Sequence, residues 1–119
     1  MSGWTAVCAY DDLIVDRGVA AIVGGATVAV FRLADGSVVA IDNRDPLSGV
    51  NVMSRGLVGT KGDITYVASP MYKQRFDVHT GRCLDDEEAP LAVYTPRVRD
   101  GVIEVHTNAA EIAEETLAG

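Results

Sequence analysis

Cysteine and basic residues are both scarce in this chain. Its 119 residues include only two cysteines, Cys8 and Cys83, so one disulfide is possible, but their spacing does not call for it. Ten lysines and arginines face seventeen acidic residues, which gives a formal net charge of −7. A nucleic-acid-binding surface needs an excess of cations to displace counterions from phosphate, so we expect no nucleic-acid partner.

A long hydrophobic run is also missing. The longest apolar stretch runs from Val19 to Phe31, which is too short to span a bilayer and is interrupted by Gly24 and Gly25. The first four residues contain neither the basic region nor the apolar region of a signal peptide. We therefore expect a soluble intracellular protein with no membrane partner.

Hydrophobic residues are abundant, at 48% of the chain, and the length is that of a single domain. A chain of this size buries roughly two-thirds of its unfolded surface and can fold without metal or disulfides. Glycine-containing pairs that suit tight hairpin turns recur between β-branched runs. These runs predict strands over residues 5–9, 19–23, 27–32, 38–42, 64–68, 74–77, 97–99 and 102–106. Many short strands joined by tight turns indicate a mostly β fold, an antiparallel sandwich or small barrel.

Helix is predicted in only two short places. Residues 11–14 can form a single helical turn. Near the end of the chain, Asn108 can cap a helix rich in Ala, Glu and Leu. The sequence thus predicts a domain over residues 1–107 and a short C-terminal helix over 108–119, which is either a frayed tail or a segment that docks on a partner.

Two loops have the spacing of an iron–sulfur site but none of its ligands. The first begins at Asn43 and the second at Ser69, and in each a proline directly follows the first ligand position. A Rieske centre needs Cys-x-His in its first loop and Cys-x-x-His in its second, because two thiolates hold one iron and two imidazoles the other. The four corresponding positions hold Asp45, Leu47, Ser69 and Tyr72.

These side chains are unsuited to the cluster. Leucine cannot coordinate a metal, and the oxygens of aspartate and serine are hard donors that match a soft iron–sulfur unit poorly. The sequence therefore predicts a Rieske-like scaffold that binds no metal and no cofactor of its own.

Without a cluster, the two loops need another contact to hold them together. We expect an apolar plug formed by Leu47, Met71 and Tyr72, each contributing roughly 1.5–3 kcal/mol on burial. Asp45 needs a partner if it is buried, because an isolated carboxylate is costly to desolvate. The candidate partners are Arg44, Arg55 and the Ser69 hydroxyl.

Metal-binding and catalytic alternatives have weaker support. His79 and Cys83 are four residues apart, but two ligands do not close a zinc site and His106 lies on another strand. We expect both histidines at the surface or in hairpins. Ser69 has no Gly-x-Ser-x-Gly elbow around it, which argues against a hydrolase. We therefore expect no catalytic residue.

Two clusters of charge follow the second loop. The run Asp85–Glu88 is a solvated loop, a region that steers a basic partner, or a weak cation-binding segment. Lys73, Arg75 and Arg82 form either a positive rim for an acidic protein surface or ordinary charges at strand edges.

Several segments together carry a specific resemblance to one family. They are Ile41–Pro46, Met53–Val58, Val67–Pro70, Lys73–Phe76, Thr80–Cys83 and Arg97–Val102. In these segments the chain resembles the small subunit of assimilatory NAD(P)H-dependent nitrite reductase, a Rieske-like ferredoxin fold that lacks the cluster. The resemblance covers residues 5 to 106.

The resemblance implies a hetero-oligomer. Its partner is a large subunit that carries FAD, an iron–sulfur cluster and sirohaem, takes electrons from NAD(P)H and reduces nitrite to ammonium. It also implies a cytoplasmic location, a place in nitrate assimilation and a subunit that is not catalytic by itself. The alternative is a Rieske-like accessory or electron-transfer module of another oxygenase or reductase system.

The resemblance also implies where the partner binds. In Rieske ferredoxins the cluster end faces the electron-transfer partner, so the corresponding end of this chain is expected to face the large subunit. An apolar surface with a charged rim is typical of a protein interface. The candidate contact residues are Arg44, Leu47, Arg55, Met71, Tyr72 and Lys73.

Overall fold

Two antiparallel sheets form the protein in the computed structural model, which describes residues 3–85 and 90–106. The strands are β1 (Thr5–Ala9), β2 (Gly18–Val23), β3 (Ala26–Arg32), β4 (Val38–Asp42), β5 (Leu57–Lys61), β6 (Ile64–Ala68), β7 (Arg75–Asp77), β8 (Val93–Arg99) and β9 (Val102–His106). The larger sheet has the strand order β1-β9-β8-β4-β3-β2, and the smaller sheet has the order β5-β6-β7. The mostly β, antiparallel fold predicted from the sequence is confirmed.

Strand β3 lies at the centre of the core because both of its faces are buried. Ala29 and Phe31 belong to a cluster that includes Phe76 of the smaller sheet. Val28 and Val30 belong to a second cluster, formed with strands of the larger sheet. All five side chains are fully buried. This burial on both faces explains why β3 reads as a continuous apolar run instead of an alternating one.

Strand β5 is absent from the sequence prediction, because Gly56 and Gly59 interrupt any β-branched run there. The structure shows why Gly59 is tolerated. A Cβ at this position would lie 2.6 Å from the ring of Tyr66 on β6, so the ring occupies the space that another side chain would need. The glycine that weakens the strand signal is thus part of the packing of the strand.

Strand β8 begins at Val93, whereas the prediction places its start at residue 97. The discrepancy arises from Pro96, which argues against a strand because it has no N–H to donate. Pairing of β8 with β4 is limited to Val93 and Tyr94. The proline therefore interrupts no bond to β4.

Short 3-10 turns occur at Tyr10–Asp12 and Met53–Arg55. The first overlaps the helical turn predicted at residues 11–14. The C-terminal helix predicted over residues 108–119, and the domain boundary that precedes it, lie outside the described residues. Within residues 3–85 and 90–106, no helix is long and apolar enough to cross a membrane.

The second 3-10 turn packs closely against both sheets at glycines. A Cβ on Gly56 would lie 2.6 Å from the carbonyl oxygen of Ala68, at the end of β6, and a Cβ on Gly18 would overlap the carbonyl oxygen of Ser54 in the turn. Only glycine permits these approaches. Because Ala68 directly precedes Ser69, the packing brings the chain that follows β4 up to the loop that follows β6.

Candidate partner-binding site

Loop 1, residues 43–52, follows β4 and is fixed at its base by the buried Asn43. The side-chain Oδ1 of Asn43 accepts a hydrogen bond from the backbone N–H of Ser54 at 2.7 Å. The backbone N–H of Asn43 donates to the carbonyl of Thr27 on β3 at 2.8 Å. Further along, the backbone N–H of Asp45 donates to the carbonyl oxygen of Val50 on the other side of the loop at 2.8 Å. Loop 1 is therefore a closed hairpin anchored to the core.

Loop 2, residues 69–74, connects β6 to β7 as a tight turn. The N–H of Ser69 donates to the carbonyl of Gln74 at 2.8 Å, and the N–H of Lys73 donates to the carbonyl of Ser69 at 2.9 Å. Lys73 has a φ of 65°, in the left-handed region that non-glycine residues seldom occupy. The turn therefore exposes three consecutive side chains at its outer end: Met71, Tyr72 and Lys73.

The two loops are joined by a direct contact between Asp45 and Ser69, the two positions of the thiolate ligands in a Rieske site. Both residues are buried. The Ser69 hydroxyl donates to Oδ2 of Asp45. Oδ1 of Asp45 accepts hydrogen bonds from the backbone N–H groups of Leu47 at 2.8 Å and Ser48 at 3.3 Å. Among the three candidate partners predicted for Asp45, the serine hydroxyl is the one that binds it.

The same contact shows that these residues do not fit an iron–sulfur cluster. The donors at the thiolate positions are hard oxygens that already hydrogen-bond one another, and leucine and tyrosine occupy the imidazole positions. Across residues 3–85 and 90–106, no group of three or more His, Cys, Asp or Glu side chains has an arrangement that can hold a metal ion. The two loops thus have the arrangement of a Rieske site, but a hydrogen bond between a carboxyl group and a hydroxyl occupies the thiolate positions.

The predicted apolar plug is wrong. Leu47, Met71 and Tyr72 are 41%, 45% and 60% exposed, so they are not buried between the loops. The buried carboxylate–hydroxyl pair supplies the connection instead, and this leaves the apolar side chains on the surface. We use the name loop tip for these three residues together with Arg44 and Lys73, which lie beside them in the same loops and are also exposed.

Arg55 is not one of the loop-tip residues. It belongs to the 3-10 turn after loop 1 and lines a groove with Val15, Arg17 and Leu57. That Arg55 contacts the partner together with the other candidate residues stays a prediction.

Arg75, one of the three cations that follow loop 2, is paired within the fold. Arg75 forms an ion pair with Asp85 at 2.7 Å, and its guanidinium also lies 5.6 Å from the ring centre of Tyr66. Lys73 and Arg82 are exposed. The other members of the acidic run, residues 86–88, lie outside the described residues.

The Arg75–Asp85 pair makes stability dependent on pH. Hydrogen bonds from Arg75 lower the pKa of Asp85 from 3.8 to about 2. Because the folded-state value is the lower one, the stabilisation is fully present above pH 3.8 and is lost as the pH falls through about 2. We expect Asp85→Asn to lower the urea midpoint slightly at neutral pH. Below about pH 2 the variant and the native chain should have the same midpoint. Asp63→Asn, on an exposed turn, is the control; an equal loss in both variants would contradict the assignment.

The histidines and cysteines do not form a metal site. His79 is exposed whereas Cys83 is buried, so the four-residue spacing does not produce a shared site. His106 lies in the hairpin of β8 and β9, one of the two predicted placements; it is buried there and packs edge-on against Trp4 with ring centres 5.2 Å apart. Both cysteines are free thiols.

Comparison with known proteins identifies the family. Residues 3–106 match the family described as the Rieske-like [2Fe-2S] domain. Over 106 residues the chain is 42% identical to a protein from Salmonella typhimurium named nitrite reductase (NADH) small subunit, covering 88% of this chain and 98% of the relative. The chain belongs to the nitrite reductase small-subunit family.

A solved member of the small-subunit family has the same fold. The crystal structure assigned as an NADH-dependent nitrite reductase small subunit from Mycobacterium tuberculosis is 51% identical, with a TM-score of 0.83 over 86% of this chain and 92% of that one. A different kind of relative is the Klebsiella oxytoca protein named nitrite reductase [NAD(P)H] large subunit. It is 38% identical over 100 residues, which cover 84% of this chain but only 10% of that protein.

Two residues in or near the candidate site were not predicted from the sequence to have a role there. Asn43 anchors loop 1, and a polar residue directly after a buried strand is a signal that would have identified it. Leu57, 77% exposed at the start of β5, gave no signal because the strand itself was not predicted.

Proposed function

We propose that this chain is the non-catalytic small subunit of an NAD(P)H-dependent nitrite reductase and that it supports a large subunit in the reduction of nitrite to ammonium. The observation that carries the proposal is the buried bond between Asp45 and Ser69, which occupies the thiolate positions of a domain otherwise matched over nearly its full length. A subunit with this site acts through its surface. We assign FAD, sirohaem, the iron–sulfur cluster and the NAD(P)H site to the large subunit, and the complex to cytoplasmic nitrate assimilation.

The Klebsiella relative supports a physical association between the two subunits. Its large subunit contains a segment that matches residues of this chain, so there the small domain is covalently tied to the partner. A covalent tether raises the effective concentration of a domain to about the millimolar range. When the same domain is a separate chain, binding has to come from its surface.

The loop tip is the surface we propose for this contact. Leu47, Met71 and Tyr72 provide exposed apolar side chains on two anchored loops, and Arg44 and Lys73 provide positive charge beside them. Neither cation forms an ion pair within the part of the chain that the structure describes. In a chain of net charge −7, such a surface favours an acidic, partly apolar region of the partner.

The proposal is tested by measuring nitrite-dependent NADH oxidation by the large subunit with and without this chain. We expect the rate without it to be about tenfold lower, which corresponds to ~1.4 kcal/mol. Adding the purified chain back should restore the rate, and the chain alone should show no turnover. Equal rates in its presence and absence would contradict the proposed role.

A further inference from the structure

A groove of about 450 Å³ lies between the edges of the two sheets. One side is the segment that leads into β2, the last strand of the larger sheet, and the other is the segment that leads into β5, the last strand of the smaller one. Its floor is closed where Gly18 meets the 3-10 turn. We use the name edge groove for the site lined by Val15, Arg17, Arg55 and Leu57.

The edge groove exposes apolar side chains that the fold does not use. Leu57 is 77% exposed, one of the two highest values for a large apolar side chain in the described part of the chain, and Val15 is 43% exposed. The adjacent Ile14 is also exposed. Single exposed apolar residues are common on protein surfaces, but a group around a groove marks an interaction site.

The edge groove also contains two arginines without a matching carboxylate. Arg17 and Arg55 are exposed and form no ion pair with any described residue, whereas Arg75 and Arg97 each bind a carboxylate at 2.7 Å. The one acidic residue along the groove is Asp16. Two unmatched cations beside one carboxylate, in a chain with seven more negative than positive charges, favour a ligand that brings its own carboxylate.

The edge groove adjoins the loop tip. Leu57 is paired across the smaller sheet with Ala68, the residue before loop 2. A polypeptide that covers Met71 and Tyr72 can therefore continue over Leu57 without leaving the protein surface. A second copy of this chain is a poorer occupant, because its net charge is −7.

We infer that the edge groove binds an acidic segment of the large subunit that places an apolar side chain on Leu57 and a carboxylate between Arg17 and Arg55. This inference rests on the proposed function and extends the contact beyond the loop tip. It also gives a role in the contact to Arg55, a candidate contact residue outside the loop tip. The partner is thus held at two adjacent areas, one centred on the loops and one on the sheet edges.

The test compares the affinity of the large subunit for groove variants and for matched controls, by calorimetry at two salt concentrations. We expect Leu57→Asp to weaken binding about 30-fold and Arg55→Glu about tenfold, the latter less at high salt. Val98→Asp and Arg99→Glu make the same chemical changes at exposed positions near the hairpin between β8 and β9 and should leave affinity unchanged. In the wild-type complex, amide hydrogen exchange should slow at residues 15–18 and 55–58.

The outcomes separate this inference from the proposed function. If groove variants bind like their controls while loop-tip variants bind weakly, or if residues 15–18 and 55–58 gain no protection, the edge groove is not a contact and the proposed function stands. If the wild-type chain does not bind the large subunit at all, the proposed function fails. A dimer of this chain that is lost in Leu57→Asp, with large-subunit binding unchanged, would assign the groove to self-association and overturn the inference. A groove variant that does not fold leaves the exchange measurement on the wild-type complex to decide.

Discussion

Replacing Asp45 with alanine is expected to lower the free energy of unfolding by about 3 kcal/mol. The change removes the acceptor of the buried Ser69 hydroxyl and of the two part-buried backbone N–H groups of Leu47 and Ser48, and it leaves all three donors without this partner. Ser69→Ala removes the bond to the Asp45 carboxyl group and the hydroxyl that accepts from the Met71 N–H at 3.2 Å, and we expect a loss of about 2 kcal/mol. Because both variants remove the same bond, the double variant should lose about 1.5 kcal/mol less than the two losses combined. Urea unfolding followed by circular dichroism measures all three values.

The exposed pair Asp35 and Ser37 is the control for this cycle. It has the same chemistry, with the serine hydroxyl donating to the carboxylate at 2.6 Å, but both residues are exposed to water. Water replaces the lost bond at that position, so we expect a coupling close to zero. A coupling as small at Asp45 and Ser69 would show that this bond does not join the loops.

Much of the scaffold could be predicted from the sequence because its signals are local. Tight-turn glycines and β-branched runs mark most of the strands, and the spacing of Asp45 and Ser69 indicates two loops that meet. The prediction that the two loops are in contact came from the pattern of their residues, and the hydrogen bond between Asp45 and Ser69 confirms it. Strand β5 was missed because Gly59, which its packing against Tyr66 requires, is also a residue that weakens a strand pattern.

The arrangement of side chains around the loops could not be predicted in the same way. The apolar character of three loop residues led to the predicted plug: Leu47, Met71 and Tyr72. Residue type alone does not determine whether these side chains pack against each other or face the solvent. That depends on Asp45, which had three chemically reasonable partners in the sequence. Once Ser69 is the partner, the connection between the loops is polar and internal, and the apolar residues are left outside.

The double variant Met71→Asp/Tyr72→Asp is expected to weaken binding of the large subunit roughly 100-fold, or about 2.7 kcal/mol. The two side chains are 45% and 60% exposed and take no part in the core, so the isolated variant should unfold at nearly the same urea concentration as the native chain. Placing carboxylates at this position removes apolar contact and also repels a partner surface chosen to match Arg44 and Lys73. Calorimetric titration of the large subunit measures the affinity.

The control for this variant is Val98→Asp/Val102→Asp, which introduces the same two charges beside the turn that joins β8 and β9, away from the loop tip. Those valines are 49% and 36% exposed, and their strands β8 and β9 are hydrogen-bonded to each other. Binding should be unchanged there, because the added charge lies away from both loops and contributes only through screened, long-range repulsion. If the two double variants lose affinity to the same extent, the loss reflects net charge and the loop tip is not the contact. If only the loop-tip variant loses affinity while its unfolding is unaltered, the exposed side chains act in binding and not in stability.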